Sequence, residues 1–321
     1  TGGSNVAVGK DALSQNTTAC LNTAVGYKAL EVNTTGEENT AVGSASMITN
    51  TTGNANVALG FCAMKFNTTG CSNVAVGNVA LCKNTTACYN TAVGSDALKA
   101  NTTAISNTAV GYFSLTANTT GACNTAHGVQ ALKAVTVGIC NTGIGFNALA
   151  QLVNENTNTA VGAGTLANAT GGNNTAIGHN AGVQNSMINV TSQSNRLVLG
   201  NQDITNAYVK VSLTVTSDAR DKTNFGTVPH GLDFVNQLKP VSFQFKKSRD
   251  NDTPHGDMRY GFKAQDIMAL EGDNPVIIDN EFEDALKYKG EHLVPVLVNA
   301  IKELSETNKD LKSRIEALES N

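Results

Sequence analysis

Short runs of alternating apolar and polar positions recur every seventeen residues through the first half of the chain. Each copy reads Asn, then Thr or Val, then Ala, then an aliphatic residue, then Gly. The Gly falls at Gly9, Gly26, Gly43, Gly60, Gly77, Gly94, Gly111, Gly128, Gly145 and Gly162, and at Gly178 after one step of sixteen. With that Gly as position zero, −4 is Asn in all eleven copies, Asn5 to Asn174. Position −2 is Ala in ten copies and Gly143 in the other; −1 is Val, Leu or Ile except at His127; +4 is Leu or Met in the first ten copies, Leu13 to Leu166. Asn-Thr-Thr follows at +7 to +9 in the first seven, from Asn16 to Asn118. A fixed period of this size predicts stacked supersecondary units.

Within each copy the alternation predicts one short strand ending at the Gly, because strand side chains point to opposite faces in turn. The β-branched residues at −3 and −1 are expected on a buried pleated face. The uniformly small Ala column is expected on the other face, where another backbone comes close. Gly at zero fits a corner that needs positive φ or close approach. Asn stacked on Asn predicts a ladder of amides along the axis, and Leu or Met at +4 fills the interior of each coil. Seventeen residues suit a narrow two-layer roll, associated side by side with its copies. Recurrent Gly and β-branched Thr argue against a helix.

After Gly178 the period decays. Arg196–Gly200 and Tyr208–Val215 read as short strands. From Leu297 the apolar spacing becomes 4-3-4-3-4-3, through Leu297, Ile301, Leu304, Asn308, Leu311, Ile315 and Leu318. This is a heptad seam with Ile, Asn and Ile at a and Leu at d, a pattern that by itself favours two strands, with Asn308 setting register. The expected organisation is a repeat solenoid over 1–194, a β-rich transition over 195–216, a small α+β module over 217–289, and a coiled-coil helix over 290–321.

Charge follows the same division. Residues 1–195 hold six Lys and six Asp or Glu; the remaining sixteen Lys or Arg and twenty acids follow, so the net −4 lies entirely in the second part. No basic run marks nucleic acid as a partner, and no apolar run has membrane-spanning length. Six acids in the repeats, none paired across coils, do not make the two-carboxylate site of a glycosidase. Thr1 falls inside a repeat unit, which reads as a piece of a longer polypeptide. The seven Cys lie between Cys20 and Cys140 without a Cys-x-x-Cys, so neither a metal nor a cofactor is expected. Cys71 and Cys88 share one repeat position, and Cys123 and Cys140 another, about 4.8 Å apart on neighbouring coils; pairing is open, and buried thiols filling a column are the expectation. His127 is expected as a buried, satisfied histidine. Tyr27, Phe61, Tyr112 and Phe146 at +1 are expected outside, as rims over the Leu column or as rings for sugars. The Asn-Thr-Thr triplets match glycosylation acceptors, but strand and turn chemistry explains them better.

Two resemblances attach to these residues. The Asn-x-Ala-Val/Ile-Gly core resembles the head repeats of trimeric autotransporter adhesins, which are parallel β-rolls packed as trimers. The series Ser217-Asp218-Ala219-Arg220-Asp221-Lys222, Gly231-Leu232-Asp233, Val235, Leu238-Lys239-Pro240-Val241, Gly261-Phe262-Lys263-Ala264-Gln265-Asp266 and Asn274-Pro275-Val276, leading into the Pro295 helix, resembles the peptidase S74 family. These are intramolecular chaperone, auto-processing domains of phage tail fibres and tailspikes. The resemblance runs from Ser217 to the C-terminus. It departs at Lys263, where an apolar residue is common, and in the loop Arg249–Gly256.

The resemblance implies a homotrimer, against the two strands that the heptads favour. It also implies chaperoned folding and self-cleavage between Thr216 and Ser217 by a dyad of Ser217 and Lys222. The dyad makes chemical sense: a serine hydroxyl needs a base, and lysine serves as one only when neutral, which burial favours. Asp218 and Arg220 would support the bend that joins the two. The implied protein is a virion tail fibre, assembled in the host cytoplasm and extracellular in the mature particle. Its expected partners are a host surface receptor or polysaccharide, and other tail proteins through a missing N-terminal part. The other reading is a non-catalytic trimeric surface adhesin whose C-terminal module only trimerises.

Overall fold

A computed structural model describes residues 2–183, 190–210, 215–249, 251–282 and 284–320. The chain is mainly β and divides into two compact units, Thr1–Ile204 and Thr205–Asn321.

The first unit is a parallel β-solenoid. Its strands are β1 Val6–Val8, β2 Thr23–Val25, β3 Thr40–Val42, β4 Val57–Leu59, β5 Val74–Val76, β6 Thr91–Val93, β7 Thr108–Val110, β8 Thr125–His127, β9 Thr142–Ile144, β10 Thr159–Val161, β11 Thr175–Ile177 and β12 Leu197–Leu199. They form one sheet in chain order. Pairing is in register from coil to coil, as in Thr91↔Thr108 and Ala92↔Ala109. Strand β12 lies in the segment read as a transition. Of Tyr208–Val215, residues 208–210 carry no strand and 211–214 lie outside the described residues.

The orientation of the sheet corrects the sequence reading. The Ala column and the Asn column face inward: Ala75, Ala92 and Ala109 are fully buried, as are Asn73 and Asn107. The residues at −3 and −1 face outward, half-buried or exposed, as at Val8, Leu59 and Ile177. A seventeen-residue coil encloses little space. One Leu or Met, the −2 Ala and a further small residue at +3 (Ala80, Ser114, Ala131, all fully buried) fill it. Bulky β-branched residues therefore point out, and strand propensity does not require their burial. His127, at −1, is consequently exposed rather than buried.

Two amide ladders hold the coils together. At −4, Asn73 Oδ1 accepts from Asn90 N at 2.9 Å, while Asn73 Nδ2 donates to Ala87 O at 2.8 Å and to Asn56 Oδ1 at 3.1 Å. At +7, Asn67 Nδ2 donates to Asn50 Oδ1 at 2.8 Å and to Gly70 O at 3.0 Å. The next residue adds a hydroxyl rung, with Thr68 Oγ1 donating to Thr85 O at 3.0 Å. The second ladder stops at Asn118, whose Oδ1 is buried without a partner. The position one coil later is Val135, which has no donor to offer. Asn33 through Asn118 are fully buried in this column, so those glycosylation triplets are structural.

The corners explain two further columns. Gly26 has φ +136°, and a Cβ there would lie 2.6 Å from Gly43 O of the next coil. The +4 residues sit in the left-handed region, with Leu81 at φ 51° and Leu98 at φ 49°. A β-branched side chain is disfavoured there, which is why the column holds Leu and Met and never Val or Ile.

The second unit contains α1 Leu232–Gln237, a hairpin of β13 Val241–Ser248 and β14 Asn251–Gly261, α2 Ala264–Glu271, a small pair β15 Ile278–Asp279 and β16 Lys287–Tyr288, and α3 Leu293–Glu319. Its core joins Phe234, Ile267, Ile277, Ile278, Leu293 and Val296. Pro295 falls in the first turn of α3, where its missing N–H costs nothing. Most of the segment read as a loop at Arg249–Gly256 is strand β14. Glu271 closes the α2–β15 connection: its carboxylate accepts from Val276 N, Ile277 N and Ile278 N at 2.8, 2.7 and 3.0 Å.

Asn73→Asp keeps the acceptor for Asn90 N but removes the donors to Ala87 O and Asn56 Oδ1. It should lower the unfolding free energy of the solenoid by at least ~2 kcal/mol. Denaturant unfolding followed by circular dichroism checks this; unchanged stability would mean that the amide donors contribute nothing.

Candidate functional site

Ser217 and Lys222 lie on either side of a single 3-10 turn, Ala219–Asp221. Asp218 starts the turn: its side chain accepts from Arg220 N at 2.9 Å, and Lys222 N closes it on Ala219 O at 3.2 Å. The backbone is extended at both ends, with φ −64°, ψ 135° at Asp218 and φ −125°, ψ 152° at Lys222. An offset of five does not align on a helix face, but this tight turn reverses the chain enough for the two side chains to meet. Lys222 Nζ donates to Ser217 Oγ at 2.6 Å.

Asp218 and Arg220 form their own fork. Arg220 Nε lies 3.1 and 3.2 Å from the two carboxylate oxygens of Asp218, and Nη2 lies 2.6 Å from Oδ2. The guanidinium holds the Asp218 carboxyl below the ordinary carboxylate range. It also occupies one of the two acids between the pair, so Asp218 is engaged away from Lys222. Among the described residues no ion pair joins Lys222 to a carboxylate. Residues 215–229, Thr216 included, are exposed throughout. The two side chains thus stand open to water within one chain.

Helix α3 presents two faces. One docks on its own module: Leu293, Val296 and Ala300 are buried, Glu303 Oε2 accepts from Leu232 N at 2.6 Å, and Asn299 Nδ2 donates to Val228 O and His230 O at 3.1 and 3.3 Å. Neither Glu303 nor Asn299 stood out in the sequence, because each acts on backbone about 70 positions away. The other face carries Leu297, Ile301, Leu304, Asn308, Leu311, Ile315 and Leu318, all exposed. Together they form an apolar stripe along α3 that its own module leaves uncovered.

The cysteines depart from the expected buried column. Cys71 and Cys88 are disulfide-bonded across adjacent coils, with Cα atoms 4.7 Å apart. Cys123 and Cys140 are exposed and free, while Cys62 and Cys82 are buried. Tyr27, Phe61, Tyr112 and Phe146 are about half exposed. Among the described residues no three His, Cys, Asp or Glu side chains gather as they would around a metal ion. No described helix is long and apolar enough to cross a membrane.

Residues 217–275 match the family model described as chaperone of endosialidase, peptidase S74. The match begins at Ser217 and ends before α3, so it covers less than a fifth of the chain and leaves the long helix outside. No curated protein and no solved structure matches the chain significantly.

Replacing Arg220 with Ala should return the Asp218 carboxyl toward the ordinary range. The lowered value means that the carboxylate stays charged and the fork holds through the ordinary range, dissolving only as pH falls through the lower value of the folded protein. An NMR titration of Asp218 in both proteins checks this, and an unmoved midpoint would assign the lowering to something other than the guanidinium.

Proposed function

We propose that the chain is a segment of a viral tail fibre whose C-terminal module assembles three copies and then severs its own backbone between Thr216 and Ser217. The observation that carries this reading is the 2.6 Å contact between Lys222 Nζ and Ser217 Oγ, at the first residue of the matched family segment. The exposed seam of α3 and the solenoid face described above supply surfaces for assembly. That face, positions −3 and −1 of every strand from Val6 to Leu199, holds no Lys, Arg, Asp or Glu.

The chemistry runs as an acyl shift. Neutral Lys222 Nζ takes the proton from Ser217 Oγ, which attacks the carbonyl carbon of Thr216. The tether makes this attack effectively unimolecular. As the oxyanion collapses, the bond from that carbon to Ser217 N breaks, and the lysine proton passes to the leaving nitrogen. An ester links Thr216 to Ser217 Oγ. Water then hydrolyses it, leaving a carboxylate on Thr216 and a free amine and hydroxyl on Ser217. Water favours the charged ammonium and burial favours the neutral amine. Because residues 215–229 are exposed in one chain, covering by neighbouring copies switches the base on, and cleavage waits for assembly.

Freshly expressed protein should give fragments 1–216 and 217–321 on a denaturing gel, with intact mass fixing the cut. Ser217→Ala and Lys222→Ala should leave a full-length chain that still assembles. Lys222→Arg, which keeps charge but cannot become neutral, should slow cleavage by ~10²–10⁴-fold. Leu311→Asp in the seam should abolish assembly and cleavage together. Full-length chain from the unaltered sequence would instead favour the adhesin reading.

Attachment to a host surface polysaccharide falls to the solenoid in this reading. The half-exposed rings of Tyr27, Phe61, Tyr112 and Phe146 offer flat apolar faces. Replacing all four with Ser should abolish retention on host surface polysaccharide without changing the circular dichroism spectrum; undiminished retention would remove these rings from the contact.

A further inference from the structure

Cys123 and Cys140 occupy the same place on successive coils, five residues before Gly128 and Gly145. Both are exposed, and both have left-handed backbone, φ 60° and 58°. Their register is locked on either side. Cys123 N donates to Ile105 O at 3.2 Å and Cys140 N to Ala122 O at 3.1 Å, and two residues later Thr125 pairs with Thr142. The same corner already carries one crosslink: Cys71 and Cys88, six residues before their glycines, are bonded with Cα atoms 4.7 Å apart. Coil stacking therefore places Cys123 and Cys140 at about 4.8 Å, inside the Cα range that a disulfide spans. Every residue described at this repeat position, from Ser4 to Thr157, is exposed, so the two thiols are free to rotate toward each other.

The location gives the pair a purpose. Here the interior keeps the −4 ladder, as in Asn141 N to Asn124 Oδ1, but loses the +7 ladder: Asn118 Oδ1 has no partner, Val135 and Leu152 continue that column as apolar residues, and Gly143 interrupts the Ala column. Coils further toward the N-terminus are joined by a second row of amides, at +7, that these coils lack.

We propose that Cys123 and Cys140 are a modification site, a thiol pair that oxidises to a second intercoil crosslink by exchange with a small-molecule disulfide. One thiolate attacks a sulfur of that disulfide and releases one small thiol. The second thiolate attacks the resulting mixed disulfide and releases the other. The protein pair is oxidised by two electrons, the small disulfide is reduced to two thiols, and two protons leave the protein thiols.

The test uses the full chain carrying Cys71→Ser and Cys88→Ser, treated with oxidised glutathione, alkylated without reductant and digested. The expected result is the loss of two alkylatable thiols and a linked peptide pair joining residues 123 and 140 of one chain. The linked pair should disappear in Cys123→Ser and in Cys140→Ser, where the remaining thiol can go no further than the mixed disulfide, with an unchanged circular dichroism spectrum throughout. In the chain that keeps both Cys123 and Cys140, persistent alkylation of both thiols, stable glutathione adducts on either, or a link between two chains would each overturn the proposal.

Discussion

The solenoid depends on one constraint: every coil must meet the hydrogen-bonding needs of the next. The strands are only three residues long, so the sheet ladder alone cannot hold a seventeen-residue coil. Backbone bonds between coils continue around the turns, as from Leu81 N to Ala97 O and from Thr85 N to Thr102 O, and side chains meet what these leave. An Asn amide is both donor and acceptor, and stacked in register it satisfies one neighbour with each end. Asp could accept but not donate, and Gln would reach too far into a narrow interior. A polar group buried without a partner is costly, so the column tolerates no other residue where the ladder is complete.

Other features follow from that narrow interior. Small residues line it, one Leu or Met per coil fills it, and the larger β-branched residues are displaced to the outer face. Closing so tight a coil uses left-handed residues at several corners, among them Leu98 at +4 and Cys123 at −5. Charge is displaced as well: the twelve charged side chains of residues 1–195 all avoid the strands. What remains outside is an uncharged, periodic face whose spacing any second copy of the chain would match coil for coil.

The second unit solves a different problem. Its core is small, and the segment that carries Ser217 and Lys222 contributes nothing to it. A 3-10 turn held by Asp218 and Arg220 is enough to join the two side chains, yet leaves them in water. Helix α3 shows the same division of labour, with Glu303 and Asn299 tying one face to the module while the heptad face stays open. In the function proposed above, a site organised within one chain and covered only by neighbouring copies links chemistry to completed assembly.

Much was legible from residue order alone. The period located all eleven repeat strands, the corner glycines, the Asn ladder at −4 and the Leu column, because each is a local requirement repeated until chance is excluded; the second ladder, at +7, reads in the sequence only as strand and turn chemistry. The motif around Ser217 marked the pair that the turn brings into contact, and the heptad spacing marked the open face of α3. Which side of each strand faces inward was not legible. Alternation separates two faces but does not say which is covered; that depends on how much space a closed coil leaves, and only tertiary structure fixes it. The same holds for the exposed His127, for the crosslink at Cys71 and Cys88, and for Glu303 and Asn299. Each depends on where chain segments distant in sequence come to lie beside one another, and no local pattern records that distance.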